Sequence, residues 1–189
     1  LRAAHGLAGA NDGARVLVVC VELCSLHIRP DTDAENLVAS ALFADGAAAA
    51  IVDRAASPED DEGLGLLEAG GSVLIPQTRN RMSWRITDQG FAMTLDPRVA
   101  RELAPAIETI GRDRRGAWIV HPGGPRILDA IESVLPPNAD SAISFARDLL
   151  RDCGNMSSPS VLFVLERALR AGRQPPFHLA AFGPGLTLD

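Results

Sequence analysis

The stretch that decides the fold is Trp118-Ile-Val-His121-Pro-Gly-Gly-Pro125. Its apolar residues predict a short strand over 117–120, its glycines predict a bend, and the apolar spacing that follows predicts a helix over 125–134. His121 is therefore a polar side chain at the point where a strand meets a glycine-rich bend. A strand, a bend and a helix in this order are typical of an α/β fold.

A second stretch, Cys153-Gly-Asn-Met-Ser-Ser158, places the carboxamide of Asn155 in a similar setting. An imidazole and an amide NH2 that meet can hold the oxygen of a thioester carbonyl while negative charge builds on it. The pair therefore predicts an oxyanion site, as in acyltransferases that form carbon–carbon bonds. Each residue also has a structural explanation, because His121 can be a loop histidine with satisfied hydrogen bonds and Asn155 can cap a helix.

Strands and helices alternate along the rest of the chain. Arg15–Glu22 and 47–52 are apolar on both faces, so we expect buried strands, the first of them parallel to its neighbour. Asp96-Pro97 opens a helix because proline suits the first helical position, and Ser158 caps the last helix. This order predicts an α/β architecture in which helices cover a largely buried sheet. The remaining predicted strands are 64–75, 91–95 and 177–182, and the other predicted helices are 33–43, 96–110, 141–151 and 158–172.

The composition excludes several classes of protein. A net charge of −6 without a dense basic block argues against a nucleic-acid partner. The apolar runs are too short to cross a bilayer, so no membrane partner is expected. The three cysteines form neither an even framework nor a CxxC pair, which is typical of a reducing, cytoplasmic setting. The acidic run 59–62 is interpreted as a solvated turn, and no metal site is predicted.

Both ends of the chain predict a fragment of a longer protein. Leu1-Arg-Ala-Ala resembles the middle of a helix and has no capping residue before it. Leu186-Thr-Leu-Asp189 stops in a strand-like alternation. We therefore expect the sheet of this chain to expose an apolar face that the rest of the protein would cover.

Six motifs together resemble the type III polyketide synthases, the chalcone and stilbene synthase family of the thiolase-like fold. They occur in the family's order and near its spacing, which makes the set specific although each motif alone is weak. The resemblance covers nearly the whole chain and implies an α/β fold, layered αβαβα in the full protein, with 1–189 as one C-terminal domain. Cys24, His27 and the alanine- and arginine-rich composition favour a bacterial member. The motifs are Ala14-Arg-Val-Leu-Val-Val-Cys-Val-Glu22, Ala41-Leu-Phe-Ala-Asp-Gly-Ala-Ala-Ala49, His121-Pro-Gly-Gly-Pro-Arg-Ile-Leu-Asp129, Gly154-Asn-Met-Ser-Ser158, Val161-Leu-Phe163 and Phe182-Gly-Pro-Gly-Leu-Thr187.

The resemblance implies a catalytic set of cysteine, histidine and asparagine. His121 matches the family histidine and Asn155 the family asparagine. The family's nucleophilic cysteine lies a short way before the segment that matches Leu1-Arg2, so we expect the N-terminal half to supply it and the fragment alone to be inactive. The three cysteines of this chain are interpreted as inert packing or lining thiols.

The same resemblance implies residues that bind substrate. Phe43 and Phe91 match the gatekeeper phenylalanines between the coenzyme A tunnel and the cavity, with core packing as the alternative. Packing is also the simpler interpretation for His27, Met82 and Trp84, although Trp84 could narrow the cavity. The full set of expected binding residues is Phe43 and Phe91 at the gate, Cys24, His27 and Met82 in the cavity, Gly123 and Gly124 along the pantetheine arm, and Ser157, Gly183, Pro184 and Gly185 on the cyclisation side.

The expected function is decarboxylative condensation of malonyl-CoA onto a starter that comes from an acyl-CoA, followed by cyclisation. The expected partners are these two thioesters, the N-terminal half of the same protein and a second copy in a homodimer, and no cofactor is expected beyond the coenzyme A thioesters themselves. Two alternatives stay open. One is a ketoacyl synthase of the fatty-acid-initiating type, which usually has His-Gln-Ala-Asn and Asn-Thr-Ser at these motifs. The other is a noncatalytic partner subunit with the same fold.

Overall fold

A computed structural model of the chain describes residues 1–28, 34–54, 64, 70–88, 90–111, 116–135 and 143–189. Helices and strands are mixed through these residues without the strict alternation that was predicted, and the predicted α/β class is confirmed. A short 3-10 helix, Cys24–His27, lies between the first strand and the second helix. The helices are α1 Arg2–Ala10, α2 Ala34–Leu42, α3 Val99–Gly111, α4 Pro125–Glu132, α5 Ile143–Cys153 and α6 Ser160–Arg170. The strands are β1 Arg15–Glu22, β2 Gly46–Asp53, β3 Val73–Leu74, β4 Met82–Thr87, β5 Gly90–Leu95, β6 Ala117–Val120, β7 Phe177–Ala180, β8 Phe182–Gly183 and β9 Thr187–Leu188.

The centre of the fold is the parallel pair β6–β7. Ala117 pairs with Phe177 and Val120 with Ala180, and all four residues of β6 are buried. Helices α5 and α6 both contact β6, while α3 packs on α4. The fully buried side chains of this core come mainly from the helices: Leu103, Ile107, Leu128, Ile131, Ile143, Leu149 and Val164. The strand that precedes His121 is therefore packed against two helices.

The prediction for β1 was wrong in two respects. It pairs with β2 in antiparallel register, from Arg15 opposite Asp53 to Glu22 opposite Gly46. It is also exposed on one face, where Leu17 is 63% and Val19 is 58% accessible. The prediction that 47–52 is a buried strand was wrong for the same reason, because Ile51 of β2 is 66% accessible. An apolar run indicates neither strand direction nor what covers each face, so the sequence could not decide these points. The exposed face carries apolar side chains, as expected for a surface that another part of a protein would cover.

Several helix boundaries differ from the predicted ones because of their caps. Helix α3 begins at Val99, after Asp96 accepts the N–H of Arg98 at 2.8 Å through its carboxylate and that of Val99 at 3.0 Å through its carbonyl. The prediction that Ser158 caps α6 was wrong. Pro159 is the capping residue, and the Ser158 hydroxyl instead donates to Glu22 at 2.6 Å.

The remaining predictions concern strands β4 and β5 and the segments before them. The predicted strand 91–95 is present as β5, and it pairs with β4, which the sequence left undecided, so that Trp84 lies opposite Met93. Of the predicted strand 64–75, only Val73–Leu74 is a strand among the described residues. The acidic run 59–62 lies outside them. Within the described ranges, no helix has the length and apolar character needed to cross a membrane.

We predict that Leu128→Ala lowers the free energy of unfolding by roughly 2–5 kcal/mol, because it leaves a cavity where α4 packs into the core. The control is Ile86→Ala on β4, whose side chain is 79% accessible and should change stability by less than about 1 kcal/mol. Urea unfolding followed by circular dichroism measures both variants. Equal losses would contradict the core described above.

Candidate active site

His121 lies directly after β6, at the carboxyl end of the strand. Its backbone N–H donates to the carbonyl of Ala180 at 2.8 Å, which extends the β6–β7 ladder by one residue. Its side chain is 9% accessible, and its ring meets that of Phe182 edge to face with centroids 5.2 Å apart. The strand pairing therefore fixes the backbone of His121, and Phe182 limits where its ring can turn.

Burial makes the His121 imidazole neutral. Desolvation lowers its pKa from 6.5 to about 4, since no charged partner offsets the loss of water. Among the described residues, no hydrogen bond to the ring is formed. A neutral imidazole has one N–H donor and one nitrogen acceptor. The ring is therefore available to donate to an oxygen and to accept a proton.

Asn155 is held by backbone pairing with the segment after α2. Its N–H donates to the carbonyl of Leu42 at 2.8 Å, and its carbonyl accepts the N–H of Ala44 at 2.9 Å. These bonds make a parallel bridge between Phe43 and Asn155. Gly154 allows these two segments to approach each other. It has φ 76°, and a Cβ at this position would lie 3.1 Å from the Leu42 carbonyl oxygen.

The carboxamide of Asn155 has one possible orientation. Its Oδ1 accepts the backbone N–H of Ser157 at 2.8 Å, and its Nδ2 donates to the carbonyl of Gly123 at 3.4 Å. An N–H can be matched only by the oxygen and a carbonyl only by the nitrogen, so the amide is not free to flip. Ser157 adopts φ 60° to make this turn. The NH2 group keeps a second hydrogen for another acceptor.

Gly123 connects the two residues. Its N–H donates to the carbonyl of His121 at 2.9 Å, while its own carbonyl accepts the bond from Asn155. A Cβ at this position would lie 2.4 Å from the ring of Phe182, the same ring that packs on His121. Glycine is therefore required here for packing, a reason independent of the predicted approach to a pantetheine arm. The structure brings His121 and Asn155 to the same turn.

Two pockets lie beside this turn. His121 lines the first one together with Ser157, Gly183 and Phe182. The second pocket contains Phe43, whose backbone is bridged to Asn155. It is lined by most of the expected cavity residues, namely Cys24, His27, Phe43, Trp84 and Phe91, together with Met93. Asn155 itself lines neither pocket, and its link to the aromatic pocket is the backbone bridge to Phe43.

The aromatic pocket is built from four rings. His27 meets Phe91 edge to face at 4.9 Å, and Trp84 lies 6.0 Å from His27, 6.3 Å from Phe91 and 6.4 Å from Phe43 between centroids. Such contacts are favourable geometries for aromatic pairs. His27 and Trp84, for which packing was the simpler expectation, therefore line the pocket together with the two expected gate residues.

Other predicted site residues lie apart from both pockets. Met82 lines neither pocket and is buried in the core at 8% accessibility, which agrees with the simpler interpretation that it packs. The methionine of the pocket is Met93, which the sequence analysis missed. The alternation of β5 could have found it, because Met93 and Phe91 are two residues apart and share a face. Gly124 caps α4, and Pro184 and Gly185 form the turn between β8 and β9 without lining either pocket.

None of the three cysteines lines the pocket of His121. Cys24 lies in the aromatic pocket, where burial raises the pKa of its thiol, and the charges of Glu22 and Asp45 raise it further. A thiol with a raised pKa is a poor nucleophile. Cys20 lies within β1, and Cys153 is exposed at the end of α5. Cys24 is therefore a lining thiol as expected, whereas Cys153 is exposed and lines neither pocket.

Comparisons with known proteins give two family matches. Residues 67–189 match the C-terminal domain of the chalcone and stilbene synthases, and residues 1–57 match the N-terminal domain of the same family. We predicted one C-terminal domain over 1–189, whereas the family models assign the first 57 residues to the N-terminal domain.

Solved structures give the same family and the thiolase-like fold. The chain is 35% identical to 1,3,6,8-tetrahydroxynaphthalene synthase of Streptomyces coelicolor, a bacterial type III polyketide synthase, with a TM-score of 0.84 over 98% of this chain and 56% of that one. It is 32% identical to the C-terminal type III polyketide synthase domain of Steely1 from Dictyostelium, with a TM-score of 0.81 over 99% of this chain and 55% of that one. It is 28% identical to PKS-I of the brown alga Ectocarpus siliculosus, with a TM-score of 0.85 over 99% and 54%. The chain thus spans little more than half the length of these proteins.

We predict that His121 makes the free energy of unfolding depend on pH between the pKa of its ring in the unfolded state and its pKa in the folded state. Below pH 6.5 the unfolded state binds a proton that the folded state does not bind until about pH 4, so stability falls by roughly 3 kcal/mol as the pH drops through this window. His121→Gln should reduce the slope. Urea unfolding at intervals between pH 4 and 7 measures this slope.

The matched control is His5→Gln on α1, which leaves His121 in place and should keep the slope. Identical profiles for wild type and His121→Gln would contradict the burial of the His121 ring.

Proposed function

Because the chain belongs to the chalcone and stilbene synthase family, we propose that it supplies the histidine and asparagine of a polyketide synthase. The observation that carries this proposal is the turn at Gly123, which joins a neutral imidazole to an amide of fixed orientation. Both groups donate hydrogen bonds without carrying a charge. Such donors stabilise negative charge that develops on a carbonyl oxygen.

The first step is decarboxylation of malonyl-CoA. The ring N–H of His121 and the Nδ2 of Asn155 donate to the thioester carbonyl oxygen of the malonyl group. When the bond to the carboxylate breaks, CO2 leaves and the electron pair enters an enolate, whose charge rests on that oxygen. Two preorganised donors favour this state over the starting thioester, which lowers the barrier.

The second step is condensation. The carbon of the enolate attacks the carbonyl of an acyl group that is held as a thioester on cysteine, a carbon–carbon bond forms, and the cysteine thiolate leaves. We propose that this cysteine is supplied from outside residues 1–189, because Cys24 has a raised pKa and neither Cys20 nor Cys153 lines a pocket with His121. Before it is acylated, the cysteine thiolate would favour a protonated His121. When the acyl group passes from coenzyme A to the cysteine, that proton can pass to the departing coenzyme A thiolate, which leaves the imidazole neutral for the decarboxylation.

The aromatic pocket is the proposed site of the growing chain. Phe43 and Phe91 separate it from the coenzyme A thioester and exclude water, which protects the enolate from protonation. Ser157 and Gly183, which line the pocket of His121, lie on the proposed cyclisation side, whereas Pro184 and Gly185 line neither pocket. The substrates are an acyl-CoA starter and malonyl-CoA, the reaction needs no other cofactor, and the enzyme works in the cytoplasm as a homodimer.

The exposed face of β1 and β2 is the proposed contact with the rest of the enzyme. Leu17, Val19 and Ile51 are 63%, 58% and 66% accessible and belong to one antiparallel pair. A contiguous apolar surface of this kind is typical of a buried interface. The chain spans 54–56% of the compared synthases, so such a partner segment is consistent with their length.

We predict that His121→Ala and Asn155→Ala abolish product formation in the intact protein that carries this chain. The loss should be roughly 10²–10⁴-fold for the histidine and about 10²–10³-fold for the asparagine. Radiolabelled malonyl-CoA with a set of acyl-CoA starters measures both condensation products and released CO2. Circular dichroism confirms that each variant is folded.

The matched controls are His5→Ala and Asn11→Ala, which change the same residue types on or beside α1 and should keep activity. Unchanged product in the His121 and Asn155 variants would remove both residues from the mechanism. If the wild type released no CO2 and formed no product with any starter, the noncatalytic alternative would be favoured. The codons before Leu1 give a further test, since a residue other than cysteine at the family position would remove the enzyme assignment.

A further inference from the structure

The 3-10 turn Cys24–His27 carries two pocket residues at its ends and is tied down between them. Cys24 and His27 both line the aromatic pocket. Ser25 instead bonds to Asp45 twice, with its N–H donating to Oδ1 at 2.7 Å and its hydroxyl donating to Oδ2 at 2.6 Å. One carboxylate thus holds both the backbone and the side chain of Ser25.

Asp45 does for this turn what a capping residue does for a longer helix. The residue before the turn, Leu23, makes no side-chain cap, so the first N–H groups of the turn need an acceptor from elsewhere. Asp45 provides it from 20 positions further along the chain. Its two oxygens let one side chain accept both bonds from Ser25.

The same carboxylate lies next to the bridge that holds Asn155. Phe43 and Ala44 directly precede Asp45, and Ala44 donates its N–H to the carbonyl of Asn155. The segment from Phe43 to Asp45 therefore contacts the catalytic asparagine at one end and the 3-10 turn at the other. A shift of this segment would move both parts of the site together.

We propose that Asp45 is a positioning residue, which through Ser25 holds the 3-10 turn so that Cys24 and His27 face the rings of Phe91 and Trp84 in the aromatic pocket. The role of that pocket in binding the growing chain rests on the proposed function. The geometry of the 3-10 turn does not depend on the proposed function, so the positioning role of Asp45 and the role of the pocket can be tested separately.

Asp45 also acts on Cys24 through its charge, which helps to raise the pKa of the thiol. An Asp45→Asn change separates the two effects. Its amide oxygen can accept the N–H of Ser25, and its NH2 can donate to the serine hydroxyl, while the negative charge is lost. Asp45→Ala removes both the bonds and the charge, and Ser25→Ala removes the hydroxyl bond alone.

We predict that Asp45→Ala speeds amide hydrogen exchange in a peptide covering 22–28 by about tenfold or more. Ser25→Ala should give a smaller increase, and Asp45→Asn should stay within about threefold of wild type. Mass spectrometry of the intact protein that carries this chain measures the exchange. A peptide over 117–121 reports the core strand and should not change in any variant.

The matched control is Asp53→Ala, which removes an exposed carboxylate at the other end of β2, where it pairs with Arg15. Its exchange over 22–28 should equal that of wild type. No change in Asp45→Ala would overturn the proposal, as would Asp45→Asn behaving like Asp45→Ala, since that result would assign the effect to charge.

A second readout concerns products. If the wild type condenses malonyl-CoA, Asp45→Ala should change the ratio of chain lengths released while CO2 release falls less than about tenfold, and Asp45→Asn should restore the ratio. An unchanged ratio would overturn the positioning of the pocket. If the wild type makes no product, the proposed function fails, whereas the exchange experiment still decides the role of Asp45.

Discussion

The hydrogen-bonded turn at Gly123 is the constraint on which the rest of the site depends. It accepts from Asn155, which lies 32 positions further along the chain, and donates to His121, which lies two positions before. No side chain larger than hydrogen fits there, because the ring of Phe182 occupies the space. Backbone hydrogen bonds thus hold His121, Gly123 and Asn155, while the contact with Phe182 limits the His121 ring. Preorganised donors of this kind cost no rearrangement when charge develops.

Burial strengthens the hydrogen bonds that His121 and Asn155 can donate, and it also lowers the stability of the folded state in acid. His121 loses water when β6 is enclosed by α5 and α6, and its pKa falls for that reason alone. A neutral imidazole still has one N–H that can donate to an oxygen. The same burial makes the folded state less tolerant of acid, since a charged ring would have to stay in the interior. With the proposed role of His121, function and stability oppose each other at this one residue.

Much of the site could be predicted from local sequence, and the reasons are physical. His121 lies two positions before Gly123, and Asn155 directly follows Gly154. Glycines near the end of an element indicate a bend, so the local sequence predicts the backbone conformation there. The direction of β1, the exposure of its outer face and the exchange of Met82 for Met93 in the pocket depend instead on distant partners. Ser158 met the local requirements of a cap, yet its hydroxyl bonds to Glu22. A contact between distant segments outweighed a local preference there, as tertiary context commonly does.

The site is assembled across the two domains of the family. Phe43 and Asp45 lie within the residues that match the N-terminal domain, whereas His121 and Asn155 lie within those that match the C-terminal domain. The bridge between Phe43 and Asn155 crosses this boundary through backbone hydrogen bonds, which need no particular side chains. Side chains that line the aromatic pocket can therefore vary while the backbone bridge between the two matched regions is kept. Under the proposed function, this separation would let the pocket accept different chains while His121 and Asn155 keep their places.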